Sequence, residues 1–417
     1  MMRLLHVSHQ YYPAIGGAER YITDLSEELA RRGHVADVYT SRSLDYHTWE
    51  NCLPKFDVVN GVRVHRFRSV KRTAVGWRVL RYGLNGYANT RAAWYQPFIW
   101  AGNGPVCPGM VGALLHDAPT YDLVHIVNLH YAHAWLAYKL ARARNLPVVI
   151  SPLLHAEQWV THDIGYMWKM LCAADAIITM TVAERDYLLD RACPAPIVVG
   201  GSGIRLADFP ALEADTCRAY FGIPPQARVL LFLGRKADYK GLDLCLRAFT
   251  ELRAQHPSLY FLAIGPETDF SQRLWREYGD LPGLIVRPAV TTHERFMALA
   301  ACDVLALPSV GESFGIVYLE AWAYRKPVIG ARIDSVASLV TDGLDGVLVA
   351  PHDAADVARA LSWLLEHESA ARAMGEQGRL KLERRYTVER IADIVEGCYA
   401  RVLRKRRTFT SGAGSPS

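Results

Sequence analysis

Short apolar runs alternate with amphipathic stretches along nearly the whole chain. In the first half the runs are RLLHVSH, VADVYTS, VRVHRF, DLVHIVN, PVVIS, AIITM and PIVVG. Runs this short and rich in β-branched residues, with helical patterns between them, predict strands of parallel sheets in an α/β protein. The first helical pattern is GGAERYITDLSEELARRGH, which sets Ile22, Leu25 and Leu29 on one side and stops at Gly33. A second series begins near Arg228 with RVLLFLG, LYFLAIG, LIVRPA, DVLALPS, PVIGARI and GVLVA, again with helical patterns such as GLDLCLRAFTELRAQH in between.

The two series predict two doubly wound units in tandem, joined in the Gly-rich VVGGSGIRLADFP. The expected domains are 1–203 and 204–387. A last helix over about 388–407 carries Val388, Ile391, Val395, Cys398 and Val402 on one face, and the small, polar tail 408–417 is expected to be disordered. In such sheets ligands bind at the carboxyl ends of the strands.

Composition narrows the class. The 417 residues are 51% hydrophobic and 21% charged, a soluble globular profile. No segment approaches the roughly 20 apolar residues of a membrane span. The N-terminus runs straight into a strand pattern, so no leader is expected. Eight scattered cysteines without a C-x-x-C pair read as reduced core residues, which suits the cytoplasm. The net charge is +5, unevenly spread: Val58 to His116 holds no acidic residue but carries Arg63, Arg66, Arg68, Lys71, Arg72, Arg78, Arg81 and Arg91. Trp77, Tyr82, Tyr87, Trp94, Tyr95, Phe98 and Trp100 interleave with them. Such a segment suits an anionic lipid surface or a phosphate-bearing substrate, and its plainer reading is a basic loop over core aromatics. No nucleic-acid motif is present, and none is expected as a partner.

Three stretches at predicted strand ends carry candidate chemistry. In YYPAIGGAER, Gly16 and Gly17 let the backbone approach a ligand ahead of a helix N-terminus. In FLGRKADYKG, Arg235 and Lys240 suit a diphosphate, above all one that departs with negative charge. In GESFGIVYLEAW, Glu312 and Glu320 lie about 12 Å apart if the intervening segment is helical. That is too far for a glycosidase pair, which needs about 5–5.5 Å or roughly 6.5–9.5 Å. It suits a grip on two ends of one long ligand. His155, after PVVIS, could polarise a substrate, with His125 and His130 as competitors. No metal-ligand spacing occurs, and neither the dinucleotide G-x-G-x-x-G nor a Walker sequence is present, which argues against a dehydrogenase.

Taken in order, YYPAIGGAER, GSGIRLADF, LGRKADYKGLDLCLRAF, CDVLALPSVGESFGIVYLEAWAYRKPVIG and YTVERIADIVEGCY resemble glycosyltransferase family 4 across almost the whole chain. The resemblance implies the GT-B fold, two Rossmann-like domains facing a central cleft, with the last helix crossing back to the first domain. It implies a retaining, metal-independent transfer of a hexose from a UDP- or GDP-sugar, with no cofactor. Arg235 and Lys240 would hold the diphosphate. Glu312, with the backbone of Ser313, Phe314, Gly315 and Ile316, would bind the sugar, and Glu320 the nucleotide ribose. Gly16 and Gly17 would lie near the phosphates, and His155 near the reacting sugar. Arg72, Trp77, Arg78, Arg81 and Trp94 fall where the family places acceptor-binding loops. A lipid-linked or cell-envelope glycan at the inner face of the cytoplasmic membrane is therefore the expected acceptor. A soluble small acceptor and a silent partner subunit are the alternatives. One departure stands out: after PVIGARI the family shows a Gly-rich turn and a glutamate, where this chain reads DSVASLVTDG, with Ser335 and Ser338.

Overall fold

Each apolar run forms a strand, in two separate sheets. The computed structural model describes residues 1–14, 16–117, 120–154, 163–288 and 290–412, with side chains through residue 406. Two units are formed, one by Met1–Gly203 with the chain from Val388 onward, the other by Ile204–Thr387.

The first unit is built on an eight-stranded sheet in the order β3-β4-β2-β1-β5-β6-β7-β8. The strands are β1 (Arg3–Val7), β2 (Val35–Ser41), β3 (Phe56–Val59), β4 (Val62–Phe67), β5 (Leu123–Val127), β6 (Val148–Ser151), β7 (Ala176–Thr179) and β8 (Ile197–Val199). All neighbours are parallel except β3 and β4, a hairpin at the edge. The second unit has six parallel strands in the order β11-β10-β9-β12-β13-β14. They are β9 (Arg228–Leu233), β10 (Leu259–Ile264), β11 (Leu284–Arg287), β12 (Val304–Leu307), β13 (Val328–Ala331) and β14 (Val347–Val349).

The order explains where ligands fit. The chain winds outward in opposite directions from β1, which pairs with β2 and β5, and from β9, which pairs with β10 and β12. Loops leaving the carboxyl ends of these two strands part company and leave a crevice above each sheet. Helices cover both faces, so strand residues such as Leu230, Leu231 and Phe232 are fully buried, each stabilising by roughly 1.5–3 kcal/mol.

The last helix, Val388–Gly412, belongs to the first unit and extends further than the 388–407 that periodicity predicts, into the tail expected to be disordered. Ile391, Val395, Cys398 and Tyr399 are buried. Arg32 reaches Asp393 at 2.8 Å and Glu396 at 3.1 Å. The Tyr399 hydroxyl lies 2.6 Å from His125 Nδ1 and 3.2 Å from His6 Nε2. Burial pushes the His6 pKa down to about 3 and that of His125 well below its ordinary value, so both rings are neutral and the hydroxyl links them. His125 is thereby committed inside the unit rather than to a ligand.

The basic, aromatic segment starts in β3 and β4 and is largely helical from Ala74 onward, contrary to its reading as a loop. Ala74–Thr90 and Gln96–Asn103 pack closely as two helices. Among the described residues no single helix is long and apolar enough to cross a membrane.

Candidate active site

In the second unit the chain leaves β9 through Gly234-Arg235-Lys236. Successive side chains leave a strand in opposite directions: Arg235 is exposed and Lys236 fully buried. Lys236 pairs with Glu267 and donates to the Arg287 carbonyl at 3.1 Å, tying the ends of β9, β10 and β11 together. A turn, Asp238–Lys240, then leads into the helix Leu242–Arg253 through Gly241. Gly241 has φ +74°, and a Cβ there would lie 2.6 Å from the Pro308 carbonyl oxygen. Only glycine lets this turn lie on the chain leaving β12.

The β12 exit supplies the carboxylates. Val310 N donates to Tyr239 O at 2.9 Å, so the two loops share a backbone hydrogen bond. Glu312 is buried and forms an ion pair with Lys240. Gly315, at φ +90°, opens the helix Ile316–Ala323, and Phe314 packs edge-on against Tyr386. The buried Tyr318 hydroxyl donates to Leu307 O at 2.7 Å, which pins the helix to the strand it follows. Burial, helped by the Glu312 charge, holds that hydroxyl protonated far above the usual tyrosine range. Glu320, on the second turn, is buried and paired with Arg295 from the helix Thr292–Ala301. The unit thus gathers Lys240, Glu312, Glu320 and the free amides of one helix start around the ends of β9 and β12, suited to a ligand with an anionic centre and hydroxyls at both ends.

In the first unit Gly16 and Gly17 stand at the start of the helix Gly17–Arg31. Gly16 is extended, at φ 176°, so conformation does not demand glycine there. Space does: a Cβ would collide with the Glu19 carboxylate. That carboxylate meets His9 Nε2 at 2.9 Å, both side chains being buried. Burial works to raise the Glu19 pKa, but the His9 charge and hydrogen bond hold it below the ordinary range. The His9 ring stacks on Tyr131 at 4.2 Å, and Trp49 stands perpendicular to Tyr131 at 5.5 Å. Arg72 lies over Trp77 at 4.3 Å and near Trp49 at 5.5 Å. Buried His9 Nδ1, His133 Nδ1 and Arg72 Nε find no hydrogen-bond partner among the described residues. Buried polar atoms are rarely left unpaired without cause, and three here lie around one aromatic platform.

The sequence candidates divide accordingly. Lys240 and Glu312 meet directly, and Arg72 and Trp77 meet in the first unit. Arg78 and Arg81 are exposed on the helix Ala74–Thr90. Trp94, 53% exposed, joins a different cluster with Tyr82, Tyr95 and Phe98. His155 lies outside the described residues. Glu19, His9, Tyr131 and Arg295 escaped the sequence reading. Glu19 stands inside GGAER and a helix-start carboxylate was available as a signal, whereas nothing near Arg295 in sequence points to Glu320. Among the described residues no group of three or more His, Cys, Asp or Glu side chains is disposed to hold a metal.

Two doubly wound parallel-sheet units in one chain define the GT-B architecture, and the comparisons with known proteins agree. Residues 16–201 match the model of the glycosyl transferase 4-like domain, and residues 214–381 that of glycosyl transferases group 1. A D-inositol 3-phosphate glycosyltransferase of Stackebrandtia nassauensis is 31% identical over 94% of this chain and 88% of its own. A sucrose-phosphate synthase from Thermosynechococcus elongatus superposes with a TM-score of 0.72 at 21% identity, over 97% of this chain and 100% of that one. Anabaena HepE, solved with UDP and glucose, gives 0.71 at 16% identity, over 96% of this chain and 100% of that one. The chain belongs to the GT4-type glycosyltransferases.

Proposed function

We propose that this chain moves a hexose from a UDP- or GDP-sugar to a hydroxyl of a small soluble acceptor bearing phosphate, with retained anomeric configuration and without a metal. The observation that carries the donor half is the set Lys240, Glu312 and Glu320 around the ends of β9 and β12. Arg235 and Lys240 neutralise the diphosphate as the bond from sugar C1 to its oxygen breaks. Glu312 and the amides of Ser313, Phe314, Gly315 and Ile316 hold the sugar hydroxyls, and Glu320 holds the ribose. Gly17 opens the helix that follows β1, and His155 comes next after Leu154; these are the first unit's candidates for the phosphates and the reacting sugar. The acceptor oxygen bonds to C1, and its proton leaves with the diphosphate oxygen.

A soluble acceptor now takes precedence over the lipid-linked glycan expected first. Its support is the name of the relatives, which specifies transfer to an inositol phosphate, together with the unpaired His9, His133 and Arg72 atoms, which suit hydroxyls and a phosphate. Thermal unfolding with UDP, GDP and ADP, with and without EDTA, tests the donor half. A ligand at a hundred times its Kd adds about 2.7 kcal/mol. Stabilisation by one diphosphate, indifferent to EDTA and lost in Glu320→Ala, is the expected result. No response to any of them would overturn the reading. Turnover with inositol phosphates and hexose phosphates against extracted lipid tests the acceptor half, and binding without turnover would mark a silent subunit.

A second reading keeps the cytoplasmic face of an anionic membrane in play. It rests on Tyr82 and Phe98, exposed by 51% and 37% on the helices Ala74–Thr90 and Gln96–Asn103, and on Trp94, exposed by 53% in the turn between them, with Arg78 and Arg81 exposed on the first helix. Aromatic rings with arginines suit a headgroup layer. Flotation with anionic but not neutral vesicles, lost in Trp94→Ala with Arg81→Ala, supports it; equal partition into both removes it.

A further inference from the structure

In the second unit the helix Glu368–Arg385 lies beside the helix Ile316–Ala323. Two glycines let them close up: a Cβ on Gly375 would strike the Arg325 carbonyl, and one on Gly378 the ring of buried Trp322. Arg379 Nη1 donates to Ala323 O at 2.7 Å, which satisfies a carbonyl at the end of the shorter helix. Just past the longer helix, Tyr386 meets Phe314 edge-on at 5.7 Å, and Phe314 is buried. Each step forward from Gly375 to Gly378 to Tyr386 is matched by the same step back from Arg325 to Trp322 to Phe314. The two segments therefore run antiparallel in one register, which ends at the loop that opens the helix Ile316–Ala323.

Tyr386 also stands where the chain changes units. The second unit is Ile204–Thr387, so the chain crosses after Gly203 and again after Thr387. Tyr386 N donates to Leu382 O at 2.8 Å, and the Tyr386 carbonyl accepts Ile204 N at 3.0 Å beside a parallel bridge between Ile204 and Thr387. One residue thus reaches both crossings through its backbone and the loop at Phe314 through its ring. An edge-on aromatic pair is directional, so the ring restrains Phe314 and the backbone on either side of it.

We propose that Tyr386 is a positioning residue for the donor's sugar: its ring holds Phe314, and so the amides from Ser313 to Ile316, where the sugar hydroxyls are met, and its carbonyl ties that loop to the two crossings. This rests on the assignment of that loop to the sugar. The free diphosphate is assigned instead to Arg235 and Lys240. A residue acting through Phe314 therefore changes the binding of the intact sugar nucleotide and not that of the diphosphate. A purely structural role changes both alike, or neither.

The test measures Kd by calorimetry on the full chain for UDP-glucose, UDP-N-acetylglucosamine and GDP-mannose, each against its free diphosphate. For the sugar nucleotide that wild type binds, Tyr386→Ala should weaken binding by roughly three- to tenfold, the worth of an aromatic pair. The same variant should leave UDP or GDP within about twofold of wild type. Tyr386→Phe, which keeps the ring, should retain most of the wild-type affinity. Tyr386→Ala together with Phe314→Ala should weaken the sugar nucleotide little more than Phe314→Ala alone, since the two residues act as a pair. The free-diphosphate affinity reports whether each variant is folded, and Tyr386→Val serves should the alanine variant fail to fold. If Glu312→Gln shifts the ratio of sugar nucleotide to diphosphate affinity and the Tyr386 variants do not, the proposal falls and the sugar assignment survives. If neither shifts it, or if wild type binds no sugar nucleotide of the set, the sugar assignment falls and the proposal with it.

Discussion

Glu184 is a fully buried acid in the first unit, and its titration should leave a measurable mark on stability. It sits in the helix Val182–Asp190, capped by Thr181, whose Oγ1 accepts Glu184 N at 3.0 Å. Its two carboxylate oxygens accept Leu154 N at 2.7 Å and Met180 N at 2.6 Å. Burial raises its pKa from 4.5 to about 7, against the pull of the backbone donors Leu154, Met180 and Leu153. The folded chain therefore keeps a proton that the unfolded chain has released. The stabilising contribution is complete below pH 4.5 and is lost as pH rises through 7. Linkage puts the loss at about 2.5 kcal/mol between pH 5 and pH 8. Glu184→Gln is neutral throughout. At pH 5 it should be less stable than wild type by about 1–3 kcal/mol, since its amide group meets one of the two N–H donors. By pH 8 the gap should close or reverse. Urea unfolding followed by tryptophan fluorescence at both pH values reads the difference, and titrations common to both proteins cancel. A gap that stays the same at pH 5 and pH 8 would refute the reasoning. The stakes are functional as well, because Leu154 directly precedes His155.

Other expectations are as direct. Glu312→Gln releases Lys240 from its pair and should tighten nucleoside-diphosphate binding several-fold, by roughly 1 kcal/mol, while turnover falls; calorimetry and steady-state rates separate the two. Gly241→Ala forces a Cβ against the Pro308 carbonyl at φ +74° and should cost about 1–3 kcal/mol in thermal unfolding. Tyr399→Phe removes the hydroxyl between His6 and His125, should cost about 1–3 kcal/mol, and should speed amide exchange in the helix Val388–Gly412.

Strands were legible because most lie buried between helices, so their sequences are continuous apolar runs. The exception is β3, Phe56–Val59, an edge strand with Phe56 and Val58 about half exposed, whose FDVV reads as nothing in particular. The helices of the basic segment were hidden by glycines. Gly76, Gly83 and Gly86 look like helix breakers, yet two of them are points of close approach: a Cβ on Gly83 would lie 2.9 Å from Ile99 N, and one on Gly86 would strike the Tyr95 ring. Composition records the missing side chain and is silent about the neighbour that needs its space. The His9–Glu19 contact was hidden for a related reason, since Gly16 suggests a ligand when its absent Cβ first makes room for Glu19.

Charges were legible as types but not as pairs. Two carboxylates in GESFGIVYLEAW invite the idea of ligand contacts, and both prove to be buried, each with a cation brought from elsewhere in the unit. Burying a carboxylate alone costs several kcal/mol, so the fold must supply Lys240 and Arg295 before any ligand does. The two pairs differ in what a ligand can do to them. Under the proposed assignment, with Lys240 on the diphosphate and Glu312 on the sugar, a bound donor competes for both partners and should loosen the pair. Under the same proposed assignment Glu320 meets a neutral ribose, which offers hydroxyls but no charge, so its pair with Arg295 should persist in the complex. On that proposed reading one pair is an exchangeable stand-in for the ligand's anion, and the other is a fixed part of the site's wall. Sequence order cannot reveal that difference, because it depends on which cation meets which carboxylate across the sheet.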